Sequence, residues 1–111
     1  MDVRDVDPEA LDALVTAGGL VFVDFWATWC APCKQFALAY ERVAADNPAV
    51  VFVKVNVEEQ SALAATFEIR SIPHLMVFKF GKLIFSEAGS MPEKALKELV
   101  EQALKLDAAT L

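Results

Sequence analysis

The stretch Leu20-Val21-Phe22-Val23-Asp24-Phe25-Trp26-Ala27-Thr28-Trp29-Cys30-Ala31-Pro32-Cys33-Lys34 carries the decisive pattern of this chain. From Leu20 to Trp26 every residue is apolar except Asp24. Apolar side chains at odd and even positions alike face both sides of a pleated strand, so this run predicts a central strand buried on both faces. From Cys33 to about Asp46 the pattern becomes helical, with Phe36, Ala37, Tyr40 and Ala44 along one stripe and Asn47-Pro48 at the end. The two cysteines therefore stand where an extended strand gives way to a helix.

The elements on either side follow from the same rules. Asp7-Pro8-Glu9 is a helix start: a capping acid, a proline at the first helical position, and a second acid near the positive end of the dipole. Leu11, Leu14 and Val15 continue that helix and Gly18-Gly19 stop it, with a short strand expected before it at Asp2 to Val6. Val50 to Val57 predicts a second strong strand, and residues 59–67 a short helix with Leu63 and Phe67 turned inward. Ser71-Ile72-Pro73 breaks the chain before a strand at about His74 to Phe80, and Gly81 permits a tight turn into a partner at about Leu83 to Ala88. A last helix is expected from about Pro92 to Leu106, burying Leu96, Leu99, Val100, Ala103 and Leu104, with a frayed tail at residues 107–111. The order β-α-β-α-β-α-β-β-α implies an α/β fold: a central mixed sheet of four to five strands with helices on both faces, in a single domain over residues 1–111.

Composition narrows the function. With 111 residues, 56% of them hydrophobic, and eight Phe and two Trp, the chain can build a core without a disulfide scaffold. A formal net charge of −6 argues against nucleic acid, whose phosphates demand a positive field. The longest uncharged stretch, Ala13 to Val23, is far too short to cross a bilayer, and Met1-Asp2-Val3-Arg4-Asp5 carries acid where a signal peptide carries base. The expectation is a cytoplasmic monomer that needs no membrane, metal or cofactor.

Two cysteines three residues apart suit redox chemistry. At the start of a helix, free N–H groups and the helix dipole stabilise an anion, so the Cys30 thiolate should form below the ordinary thiol pKa. Cys33 lies one turn on, within disulfide reach and on the stripe of Phe36, Ala37 and Tyr40. The expected division of labour is an exposed Cys30 that attacks a substrate disulfide and a shielded Cys33 that resolves the mixed disulfide. A zinc site would need donors beyond His74, and a purely structural disulfide across one turn would close too small a loop to stabilise much.

Val23 to Lys34, Val53-Lys54-Val55-Asn56, Ile69-Arg70-Ser71-Ile72-Pro73, Phe78-Lys79-Phe80-Gly81 and Gly89 together resemble the thioredoxin family over nearly the whole chain. The resemblance implies the thioredoxin fold and a protein dithiol–disulfide oxidoreductase, with disulfide-containing proteins as substrates and a thioredoxin reductase as partner. Asp24 matches the family's buried carboxylate, which its place in an apolar strand supports: desolvation should raise its pKa and suit it to exchange a proton with Cys33. Lys54 matches the lysine beside that carboxylate, the alternative being a solvated strand-edge lysine. Pro73 matches a cis-proline facing the disulfide. Trp29, Ala31, Pro32, Ile72, Pro73, His74, Ala88 and Gly89 would then line the docking patch for substrate, though Ile72 and Ala88 read almost as well as core.

The departures from the family are Ala31 where a glycine is usual, Leu38 where many members kink the helix with proline, and His74 where threonine is usual. His74 would either meet the Cys30 thiolate or face solvent. Ala-Pro between the cysteines, with no histidine among them, fits reducing members better than oxidising or isomerising ones. The alternative function is a binding or holdase module in which the cysteines are secondary.

Overall fold

The computed structural model describes residues 3–110. In chain order they form β1 (Arg4–Asp5), α1 (Pro8–Thr16), β2 (Val21–Trp26), α2 (Ala31–Asp46), β3 (Val51–Asn56), α3 (Ser61–Thr66), β4 (His74–Lys79), β5 (Lys82–Ala88) and α4 (Glu93–Lys105). The five strands make one mixed sheet in the order β1-β3-β2-β4-β5. Strand β3 runs parallel to β1 and β2, β4 runs antiparallel to β2, and β5 returns antiparallel to β4. Asp2 of the expected first strand lies outside the described residues.

Strand β2 sits at the centre, and its alternating side chains feed two cores. Phe22 turns to the face covered by α2 and α4, where it stacks on Phe52 and joins Phe36, Tyr40, Val43, Leu96 and Val100. Val21, Val23 and Phe25 turn to the face covered by α1 and α3, with Leu11, Val55 and Met76. Both layers exclude water from the strand, as its continuous apolar run requires.

The structure moves several expected boundaries. Helix α2 begins at Ala31, not Cys33, because Cys30 itself caps it, and it runs unbroken through Leu38. Its buried stripe includes Ala39 and Val43, while Ala37 is only half-buried. On α4, Leu104 is exposed instead of buried, lying on the solvent side of the stripe drawn by Leu96, Val100 and Ala103. Of the tail expected to fray, Ala108–Thr110 form a 3₁₀ turn, with Asp107 Oδ1 accepting from the Ala109 N–H at 3.0 Å, and Leu111 lies outside the described residues.

Two features of the β4–β5 hairpin bear on stability. Lys79 is buried, and its Nζ donates to the carbonyls of Ala103 and Leu104 at 2.6 and 3.1 Å and to that of Leu106. A cation thus satisfies the orphan carbonyls at the negative end of α4. The hairpin loop is Phe80-Gly81, both with positive φ, at 55° and 78°. Such a two-residue turn favours Asn-Gly, and a bulky aromatic is strained there. Two stability measurements by urea unfolding follow. Lys79→Met, which keeps the stem and removes the ammonium, should lower stability by about 2 kcal/mol; Phe80→Asn should raise it by about 1 kcal/mol.

Candidate active site

The site begins with the turn that leaves β2. The Cys30 N–H donates to the Ala27 carbonyl at 3.3 Å, which curls the chain into α2, and Pro32 occupies its first turn where no donor is needed. Cys30 is the N-cap residue: its Sγ accepts from the Cys33 N–H at 3.2 Å. Cys30 and Cys33 are joined as a disulfide, with Cα atoms 5.2 Å apart. Both thus lie at the positive end of a helix of 16 residues.

The expected exposure of Cys30 is corrected. Cys30 is only 4% exposed, nearly as buried as Cys33, because Ala27, Trp26, Val57 and Ile72 pack around the pair. The asymmetry between the sulfurs is one of position: Cys30 Sγ lies 3.8 Å from the Ile72 carbonyl oxygen at the protein rim, whereas Cys33 looks inward.

Inward of Cys33 lies a cavity of about 110 Å³ lined by Asp24, Trp26, Cys33, Lys34, Ala37 and Lys54. Asp24 is 2% exposed, and its Oδ1 has no hydrogen-bond partner among the described residues. Burial pushes its pKa up from 3.8 to about 7, against the pull of Lys54 and with a small push from Asp5. Lys54 is Asp24's cross-strand neighbour on β3. It is neither free in solvent nor in a tight pair with Asp24: its Nζ lies 3.9 Å from Asp5 Oδ2 and 4.8 Å from the centre of the Trp26 ring. The Trp26 Nε1–H in turn donates to Asp5 Oδ1 at 2.8 Å.

The rim is built by separate segments. Trp29 is 68% exposed, and Ala31 and Pro32 are exposed beside it. The Ile72–Pro73 peptide is cis, Ile72 is half-buried against the cysteines, and Pro73 is buried. Ala88 and Gly89 are exposed, and the Gly89 N–H donates to the Pro73 carbonyl at 2.7 Å. Gly89 has φ of 108°, a conformation that other residues adopt only with strain. His74 is half-buried at the protein surface, beside exposed Ser86. Its Nε2 lies 2.8 Å from Ser86 Oγ, and its ring stands edge-on to Phe25.

Sequence reasoning missed Asp5, Trp26 and Ser86. Asp5 reaches Lys54 through parallel pairing of strands far apart in sequence, for which no local signal exists. Ser86 reaches His74 only because of a β-bulge. Trp26 had a usable signal: it lies two residues after Asp24 and so faces the same side of the strand.

A disulfide capping a helix N-terminus, with Ile72 packed against it and a desolvated carboxyl lining the adjoining cavity, defines a thiol–disulfide oxidoreductase. The comparisons with known proteins agree. The thioredoxin family model matches residues 2–102. A putative thioredoxin 2 of Streptomyces coelicolor is 46% identical over 103 residues, covering 93% of this chain and 77% of the relative. Thioredoxin 1 of Chlorobaculum tepidum is 39% identical, covering 86% of this chain and 97% of the relative. Among solved structures, a mutant thioredoxin from Halobacterium salinarum superposes with a TM-score of 0.85 at 30% identity, covering 95% of this chain and 92% of the other. The chain belongs to the thioredoxin family. The binding-module alternative is not favoured.

The raised pKa of Asp24 has a thermodynamic consequence. Because its folded-state value lies above 3.8, Asp24 contributes stability that is complete below that pH and is lost as pH rises through about 7. Asp24→Asn removes this titration. Measured by urea unfolding of the oxidised protein, the variant should gain on the parent between pH 4 and 7, ending about 2–4 kcal/mol more stable at pH 8. A difference that does not vary with pH would show that Asp24 ionises at its ordinary value.

Proposed function

We propose that the chain is a general reductant of protein disulfides, acting as a cytoplasmic monomer and recharged by a thioredoxin reductase. The observation that carries this reading is the Cys30–Cys33 disulfide at the N-terminus of α2, backed by the Asp24 cavity. The net charge of −6 supports a soluble monomer through self-repulsion. Having only two cysteines supports a reducing compartment, where structural disulfides are rare.

The reaction follows from the geometry. In the reduced protein the Cys33 N–H and the helix dipole favour the Cys30 thiolate. That thiolate attacks one sulfur of a substrate disulfide, a mixed disulfide forms, and the first substrate thiolate leaves. Ionised Asp24 takes the Cys33 proton across the cavity, directly or through a water. The Cys33 thiolate attacks Cys30 Sγ, the second substrate thiolate departs, and the protein is left oxidised. The partner reductase returns two electrons by the same exchange.

Lys54 moderates the ionisation of Asp24 from the cavity wall. Because Cys30 is so little exposed, a substrate must seat on the rim to reach it. Trp29, Ala31 and Pro32 supply one side of that rim, Ile72, Pro73 and His74 a second, and Ala88 and Gly89 a third. Pro73 removes a backbone donor, which leaves that edge open to a substrate chain.

Insulin reduction tests the reading. The chain should accelerate reduction by dithiothreitol, Cys30→Ser should abolish the acceleration, and Cys33→Ser should accumulate a mixed disulfide with substrate. Asp24→Asn should slow turnover about a hundredfold, the lower end of what a lost general base costs, and remove the rate inflection near pH 7. No acceleration over free dithiothreitol would refute the reading.

A further inference from the structure

The β4–β5 hairpin is out of register by one residue, and the shift falls where it changes the rim. The hairpin starts with Lys79 opposite Lys82 and Phe78 opposite Leu83. Continued without interruption, that register would put Glu87 opposite His74. Instead Ile84 is an extra residue: Phe85 faces Val77, Ser86 faces Met76, and Ala88 faces His74. Because side chains alternate faces, the bulge moves Glu87 to the far side of the sheet and brings Ser86 onto the face of His74. The hydroxyl then meets the ring at 2.8 Å. A bulge inserted beside an active site to re-aim one side chain is a recurrent device in sheets.

The bond sits where docking geometry is set. His74 directly follows Pro73, and Ser86 lies two residues before Ala88. Apart from strand pairing, the two rim segments are tied here by the Gly89 N–H bond to the Pro73 carbonyl and by the His74–Ser86 bond. Strand β5 is the sheet edge, so no strand braces it from outside. Desolvation holds the His74 pKa below its usual value, which suits a neutral ring paired with a hydroxyl.

We propose that the His74–Ser86 hydrogen bond is a positioning latch that holds the Ala88–Gly89 end of β5 against the cis-Pro73 turn and so fixes the rim on which protein disulfides seat. The latch rests on the function proposed above, since it serves the docking of a polypeptide and not the chemistry at sulfur. Its loss should weaken binding of protein substrates and leave small disulfides almost unaffected.

The test uses the full chain with Ser86→Ala and Ser86→Thr. Steady-state reduction is followed with insulin and, separately, with oxidised glutathione; amide hydrogen exchange at Gly89 is measured on the oxidised protein. Ser86→Ala should raise the KM for insulin about fivefold, the weight of one hydrogen bond, and leave kcat and the glutathione rate within about twofold. The Gly89 amide should exchange about fivefold faster, while Val23 in the central strand stays unchanged. Ser86→Thr, which keeps the hydroxyl, should restore both. An unmoved insulin KM or an unmoved Gly89 exchange rate in Ser86→Ala overturns the latch, as does a change that threonine fails to reverse. If the parent chain does not reduce insulin at all, the reductase reading falls, and the Gly89 exchange alone then decides on the latch.

Discussion

Strand β2 is sealed on both faces, and the rest of the molecule is arranged around that constraint. Phe22 and Phe25 point to opposite sides of the sheet, and each is wholly buried. A strand of this kind needs a helical layer above and below. The chain that leaves it supplies one of those layers at once by turning from Trp26 into α2 within a few residues. The helix therefore lies over the face that carries Phe22 and Asp24. Its N-terminus lies just beyond the C-terminal end of central strand β2, with Cys30 as cap, and the first inward residue is Cys33. The place of the disulfide is thus a consequence of covering the core.

The same layer sets two opposing electrostatic environments close together. At the end of α2, oriented N–H groups favour negative charge on sulfur. Behind Cys33, the apolar packing that stabilises the sheet withdraws water from Asp24 and disfavours its charge. Groups whose environments drive their proton affinities apart can divide acid and base roles at neutral pH. Lys54 keeps that separation moderate. Its attraction for Asp24 is shared with Asp5 and the Trp26 ring, so the acid titrates near neutrality.

The outer rim follows a different principle. Its parts come from the first turn of α2, the turn before β4 and the end of β5, and of these the turn before β4 is anchored by the packing of Ile72 and Pro73. The end of β5 is set beside that turn by its pairing with β4, by the Gly89 N–H bond to the Pro73 carbonyl and by the bond between His74 and Ser86. A buried floor of packed aromatics thus lies beneath a rim assembled from three separate segments of the chain.

The sequence by itself determined the element order, the doubly buried strand, the helix that follows it and the redox pair at their junction. Those features depend on local periodicity and on caps, turns and breakers, which are written in neighbouring residues. The place of Asp24 as the one acid in an apolar run, together with the family resemblance, also pointed to its burial, the alternative being an acid at the strand end that reaches solvent. Only the tertiary structure decided how deeply Cys30 sits, because its cover comes from Val57 and Ile72, remote in sequence. The pairing of Lys54 with Asp5 likewise needed β1 to lie beside β3 in a particular register. The partner of His74 depended on one extra residue in β5, which reverses the faces beyond it. A strand's alternation can be read from its own residues; which strand lies beside it, and in what register, is settled by packing across the sheet.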